Sequence, residues 1–208
     1  MKDPSLLSLR DVTQQAELFL KTHHPSRKLP IPIEEIVEIR LDIRIVLIRG
    51  LIRDFGVNAF INQKFDAIII DEMMYSKQPE RIRFTIAEEI GHLLLHKEWY
   101  SKYGPKGMGD YLGWQTKFDH KRFDYIERQA KTFASMVLIP QDRMVEKWKI
   151  FVSRNSISSP CSVYDLPDTF PQLAHEFRVS PDSLLVRLSF LKLVVIPDGF
   201  WQAVRKRR

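Results

Sequence analysis

The sequence predicts an α+β fold, and three observations carry the prediction. Three short runs rich in β-branched residues cluster between residues 43 and 71, separated by Gly50, Gly56 and the polar stretch NQKFD. Before and after them, apolar residues recur at the helical period. At 208 residues with 44% hydrophobic content, the chain can bury one core, or one core and a small appended unit.

Residues 9–23 place Val12, Ala16, Leu18, Phe19 and Leu20 at roughly helical spacing, which predicts an amino-terminal helix ending before the proline-punctuated HHPSRKLPIP. IPIEEIVEIRLDI then predicts a short helix. The runs IRIVLIR at 43–49, VNAFIN at 57–62 and DAIIID at 66–71 predict a small three-stranded meander. A long helix is expected from Pro79 to His96, then a glycine- and aromatic-rich loop from Trp99 to Trp114 that lines a groove or packs down as a lid. A second long helix covers KRFDYIERQAKTFASMVL and stops at Pro140; a third, shorter one lies around QDRMVEKWKIFV. SRNSISSPCSVYDLPDT reads as a loop or domain join. FPQLAHEFRVSPDSLLVRLSFLKLV reads as two helices around a tight turn, with Ser180 as the N-cap. The expected organisation is a first domain over 1–150 and a small helical unit over 165–208 packed on it.

No apolar run approaches the roughly 18 residues of a membrane span, and MKDPSLLSLRDV is too polar and acidic for a signal peptide. A cytoplasmic protein without membrane contact is expected. Its single cysteine, Cys161, excludes an internal disulfide framework and a multi-cysteine zinc cluster. Of the net charge of +6, Arg205, Lys206, Arg207 and Arg208 supply four positive charges. Such a tail can contact nucleic acid weakly, although a short terminal charge run is more often a solvated end.

The chemistry sits in RFTIAEEIGHLLLH, Arg83 to His96. Helical residues four apart share a face, about 40° and 6 Å from one another. Glu88, His92 and His96 therefore form one stripe, and Glu89 borders it. The pattern is H-E-x-x-H with a glutamate in place of the first histidine. In that motif two histidines bind zinc, and the glutamate takes the proton from the water that attacks a peptide carbonyl. Here the base and the second histidine are present. A Glu-x-x-His pair alone is common on polar helix edges, but this helix is apolar nearly all round. Glu88, Glu89 and His92 are thus drawn inside or into a cleft, where carboxylates need partners, protons or a cation. Gly91, a poor helix former, suits a point where something approaches the backbone closely. The other histidines, His23, His24, His120 and His175, have no partner at ligand spacing.

Taken with IERQAKTFASMVLIP, Ile126 to Pro140, this stretch resembles the ImmA/IrrE family of metallopeptidases, whose second segment reads E-x-Q-A-x-x-F-A-x-x-L-L-x-P. IPIEEIVE, the strands and LAHEFRVSPDSLLVRL are similar too, so the resemblance covers nearly the whole chain. It implies a gluzincin-like minimal metallopeptidase: a small three-stranded sheet packed on an active-site helix and a second ligand-bearing helix, with a C-terminal helix-turn-helix-like unit. It implies Glu127 as the third metal ligand, with zinc as cofactor. It further implies an endopeptidase that cleaves an XRE-type helix-turn-helix repressor, relieving repression of a mobile element or a stress response. Many relatives carry their own amino-terminal DNA-binding domain; the stretch before Pro30 is too short for one, so the repressor is expected to be a separate polypeptide.

Glu88 departs from the family pattern, and three readings stay open. In the first, Glu88, His92 and Glu127 bind the metal with Glu89 as base. Two carboxylates and an imidazole cancel the charge of a divalent cation, which moves the site toward manganese or iron(II) and weakens activation of water. In the second, His92 and His96 bind with Glu127, leaving Leu93 where the base belongs; otherwise His96 supports the ligands from behind. In the third, the fold survives as an inactive protein- or DNA-binding regulator. DNA binding is the rival class, through the C-terminal helix pair and tail. That second helix offers a groove only Asp182, Ser183, Arg187, Ser189 and Lys192, fewer Arg, Asn and Gln than base readers usually carry.

Overall fold

The computed structural model describes residues 7–115 and 120–206; Arg207 and Arg208 of the basic tail lie outside the described residues. The chain divides into two compact units, Met1–Leu138 and Ile139–Arg208.

In the first unit, α1 (Leu9–His23) begins at Ser8. The Ser8 hydroxyl accepts the Asp11 amide while the Asp11 carboxylate accepts the Ser8 amide at 2.8 Å, a reciprocal cap. α2 (Ile33–Glu35) runs on through a π-helical turn at Ile36–Arg40. β1 (Arg44–Ile48), α3 (Leu51–Phe55), β2 (Ala59–Ile61) and β3 (Ala67–Asp71) follow, then α4 (Glu72–Lys77) and α5 (Pro79–Leu95), which carries proline at its first turn. α6 (Lys97–Tyr103), α7 (Met108–Gln115) and α8 (His120–Leu138) complete the unit.

The three strands form one sheet, but not the expected meander. Their order is β1-β3-β2, with β1 parallel to β3 from Arg44↔Ala67 to Ile48↔Asp71, and β2 antiparallel to β3. A parallel pair needs a crossover, and α3 belongs to it, flanked by Gly50 (φ 80°) and Gly56 (φ 68°) in the left-handed region. β3 takes the centre because it is the strand with most to bury. Ala67 and Ile69 join Leu51, Val57 and Phe60 in one cluster, while Ile68 and Ile70 on the opposite face are fully buried.

The stretch read as an aromatic loop is mostly helical, as α6 and α7. Trp99 and Tyr100 are buried, and the Tyr111 ring lies 4.6 Å from that of Phe60, so packing against the sheet orders a segment whose glycines suggested otherwise.

α5 packs on α8 and on β2. Arg83, buried at its start, pairs with Glu34 at 3.1 Å and donates to the Ile31 carbonyl, tying α2 to α5. The α5–α8 contact depends on Gly91. A Cβ there would stand 3.0 Å from Ala130 Cα and 3.1 Å from its carbonyl oxygen, both backbone atoms. Gly91→Ala is therefore expected to force the helices apart and cost about 1–3 kcal/mol, the usual range for overpacking; a shift of the denaturant midpoint at unchanged m-value checks this.

The second unit holds α9 (Gln141–Asn155), β4 (Cys161–Ser162), a 3-10 turn at Val163–Asp165, α10 (Phe170–Phe177), α11 (Pro181–Phe190), β5 (Val194–Val195) and α12 (Phe200–Lys206). α9, grouped by the sequence reading with residues 1–150, belongs here. Trp148 stacks on Phe151, which meets Phe170 edge-on, and Lys147 pairs with Glu176 at 2.6 Å. The segment read as a join contributes β4, paired in parallel with β5 through Cys161↔Val194. Ser180 caps α11 as expected, its hydroxyl accepting the Ser183 amide at 3.1 Å. Among the described residues no helix is long and apolar enough to cross a membrane.

Candidate metal centre

The polar edges of α5 and α8 meet in one place. α5 brings Glu88, Glu89 and His92; α8 brings Glu127, Gln129 and Lys131. Glu88, His92 and Glu127 each offer one ligand atom, and these atoms lie within 4.8 Å of one another. They form the only such group of His, Cys, Asp and Glu among the described residues. His92 Nε2 stands 3.2 Å from Glu127 Oε1. Bonds of about 2.0–2.1 Å in tetrahedral zinc set ligand atoms roughly 3.3 Å apart, so this imidazole and carboxylate already have the spacing of two ligands. Two carboxylates and an imidazole also suit zinc, manganese and iron(II) chemically. The residues present fit a divalent metal.

The surroundings set the protonation of each group. Burial raises Glu88, and the neighbouring Glu127 raises it further, to about 8, against the opposing pull of Lys131 at 3.6 Å. Burial also acts on Glu127, but His92 and Lys131, at 3.2 and 3.5 Å, outweigh it and hold Glu127 below the carboxylate range. The two carboxylates titrate as a pair that keeps one proton at neutrality, Glu88 being the side pushed up and Glu127 the side held down. Glu89 is raised by burial to about 7. Its Oε2 accepts the Ile61 amide at 2.8 Å, because Asn58 and Asn62 turn their ladder groups toward β3 and Ile61 faces the other way. Burial lowers His92, yet contact with Glu127 and the charges of Glu89 and Glu88 more than offset it, and its pKa rises. Burial, with His92 beside it, takes His96 down to about 4.

Glu88, His92 and Glu127 thus converge, with Glu89 beside them. His96 stands behind: its Nδ1 faces His92 Nδ1 at 3.2 Å and its Nε2 faces Gln129 Oε1 at 2.9 Å. Four contributors escaped the sequence reading: Lys131, Gln129, the Ile61 amide and Tyr100, whose buried ring centroid lies 5.0 Å from that of His92. Lys131 was readable as the i+4 partner of Glu127. Nothing in the sequence marks the Ile61 amide, since a backbone group carries no residue signature.

In the second unit α10 and α11 have the expected helix-turn-helix spacing, but Arg187 does not serve the exposed face of α11. It is buried, and its Nε donates to the Ile139 carbonyl at 3.2 Å. The face instead exposes Val186 and Phe190, apolar residues that offer no hydrogen bond to a base edge.

A three-stranded sheet under a helix bearing Glu-Glu-x-x-His, crossed by a second helix bearing a glutamate, defines a metallopeptidase-type domain. The family model described as Peptidase_M78, IrrE N-terminal-like domain, matches residues 68–189, more than half of the chain, and the chain belongs to that family. No curated protein matches the chain. A solved structure of a Mycobacterium tuberculosis transcriptional regulator has a similar fold, with a TM-score of 0.55 at 16% identity over 87% of this chain. The similarity covers 47% of that structure, so this chain spans about half of its length.

Proposed function

We propose that the chain is a cytoplasmic metal-dependent endopeptidase whose substrate is a separate XRE-type helix-turn-helix repressor. The observation that carries the reading is the convergence of Glu88, His92 and Glu127 beside the buried Glu89. Glu88, His92 and Glu127 hold the metal, zinc first, with manganese or iron(II) as the alternatives an oxygen-rich set favours. Once bound, the cation supplies Lewis acidity to a water and to the scissile carbonyl. Glu89, poised near neutrality, takes the water's proton and passes it to the departing amine. The Ile61 amide fixes the Glu89 carboxylate while it does so. Membership of the family supports peptide hydrolysis; the repressor as substrate is what the sequence resemblance implies.

A second reading, an inactive metallopeptidase-fold protein that regulates by binding, is favoured by Lys131, whose ammonium already pairs with both Glu88 and Glu127. Elemental analysis of the purified chain and of His92→Ala and Glu127→Ala separates the two. Near-stoichiometric zinc, manganese or iron that both variants lose supports the enzyme. Failure of the wild-type chain to retain any divalent metal after reloading at low micromolar concentration supports the binding protein.

A further inference from the structure

The donors behind His92 form a chain that fixes where its protons sit. It begins at the Leu7 carbonyl, which can only accept hydrogen bonds. Gln129 Nε2 donates to that carbonyl at 2.7 Å, and the Tyr125 hydroxyl donates to the same oxygen at 2.9 Å. The Gln129 amide is therefore oriented by chemistry, with its oxygen toward His96. His96 Nε2, 2.9 Å from that oxygen, must carry a hydrogen. Between His96 Nδ1 and His92 Nδ1, 3.2 Å apart, one hydrogen has to sit. Burial of His96 with no carboxylate in contact, and the Glu127 carboxylate beside His92 Nε2, place that hydrogen on His92. His92 Nε2, 3.2 Å from Glu127 Oε1, is then the nitrogen turned to the space between Glu88 and Glu127.

We propose that Gln129, anchored by the Leu7 carbonyl and acting through His96, is the positioning residue that holds His92 with its proton on Nδ1 and Nε2 turned to the metal. This inference rests on the metal-centre reading above. His96 is here the orienting partner rather than a ligand: both its nitrogens are engaged away from the Glu88–Glu127 pair. A ligand histidine held this way needs no rearrangement of tautomer or ring on binding. The same chain connects the residue just before the α1 cap to the floor of the site, so the amino-terminal helix is part of the metal centre's support.

The test is a long-range ¹⁵N–¹H spectrum of histidine-labelled full-length protein, with and without zinc, alongside calorimetric zinc titrations of wild type and Gln129→Met. The expected result is a neutral His96 with hydrogen on Nε2 in wild type, and zinc-loaded His92 with hydrogen on Nδ1. In Gln129→Met, which keeps the side-chain shape without an acceptor, His96 should become a tautomer mixture, and zinc affinity should fall about 10- to 100-fold. Hydrogen on Nδ1 of His96 in wild type, or unchanged tautomers and zinc affinity in a folded Gln129→Met, overturns the proposal. If the variant fails to fold, the wild-type spectrum decides alone. A wild-type chain that takes up no zinc sinks the metal-centre reading instead, and the positioning role falls with it; the two failures differ in which titration is flat.

Discussion

Glu89→Gln is expected to lower the rate of peptide cleavage by about 10²–10⁴-fold, the contribution of a positioned general base, while metal content stays at the wild-type level. The substitution keeps side-chain length and an oxygen to accept the Ile61 amide, so the floor of the site is undisturbed. It removes only the basic oxygen. Glu89 lies outside the Glu88, His92 and Glu127 group, so no ligand is lost. Burial brings Glu89 to about 7, which suits a base that must take a proton and give it up near neutrality. The check is single-turnover cleavage of a peptide library followed by mass spectrometry, paired with elemental analysis. Equal cleavage by the variant would remove Glu89 from the mechanism. Loss of metal together with activity would make it a ligand.

The α5 site was legible because side-chain chemistry and helical periodicity coincide there. Glu88, Glu89 and His92 are four residues or fewer apart, and the helix around them is too apolar to leave them in water. Glu127 could not be placed by spacing, since the fold alone decides which face of α8 meets α5; it was reachable only through resemblance to a family. The sheet was misread in its connections rather than its strands. All three runs form strands, but short-range patterns do not reveal that α3 carries the chain across so that β1 and β3 run parallel. The aromatic segment after α5 failed for a related reason. Its glycines argue for a loop, yet Tyr100 and Tyr111 gain more by packing on His92 and Phe60 than the backbone loses in freedom. The Leu7 carbonyl and Ile61 amide lie beyond any sequence reading, because every residue carries such groups and only the tertiary fold selects these two.

Zinc affinity should rise steeply with pH, and Glu88→His should flatten the rise. In the metal-free chain Glu88 keeps its proton up to about pH 8, and His92, raised by its carboxylate neighbours, carries one on Nε2 beside Glu127. Both must leave before these atoms can bind a cation. Each displaced proton contributes roughly tenfold in affinity per pH unit well below the pKa of its group, so Glu88 alone, half ionised at the upper limit, gives about 50-fold between pH 6 and 8. Loss of the His92 proton adds to the slope. A histidine at position 88 with an ordinary pKa of about 6.5 loses its proton about one and a half units earlier, and most of the Glu88 contribution above that pH disappears. Stability without metal runs the opposite way. The raised pKa values of Glu88 and Glu89 give stability that is full below about 4.5, their ordinary value, and is lost as pH rises through about 7 and 8. The chelator-treated chain should therefore melt progressively lower from pH 5 to 8, and zinc should raise its Tm most at the alkaline end. Calorimetry in two buffers of different ionisation enthalpy counts the released protons directly. A zinc affinity independent of pH between 6 and 8 would mean that Glu88 does not bind the metal, and that the position has left the coordination sphere along with the histidine it replaced.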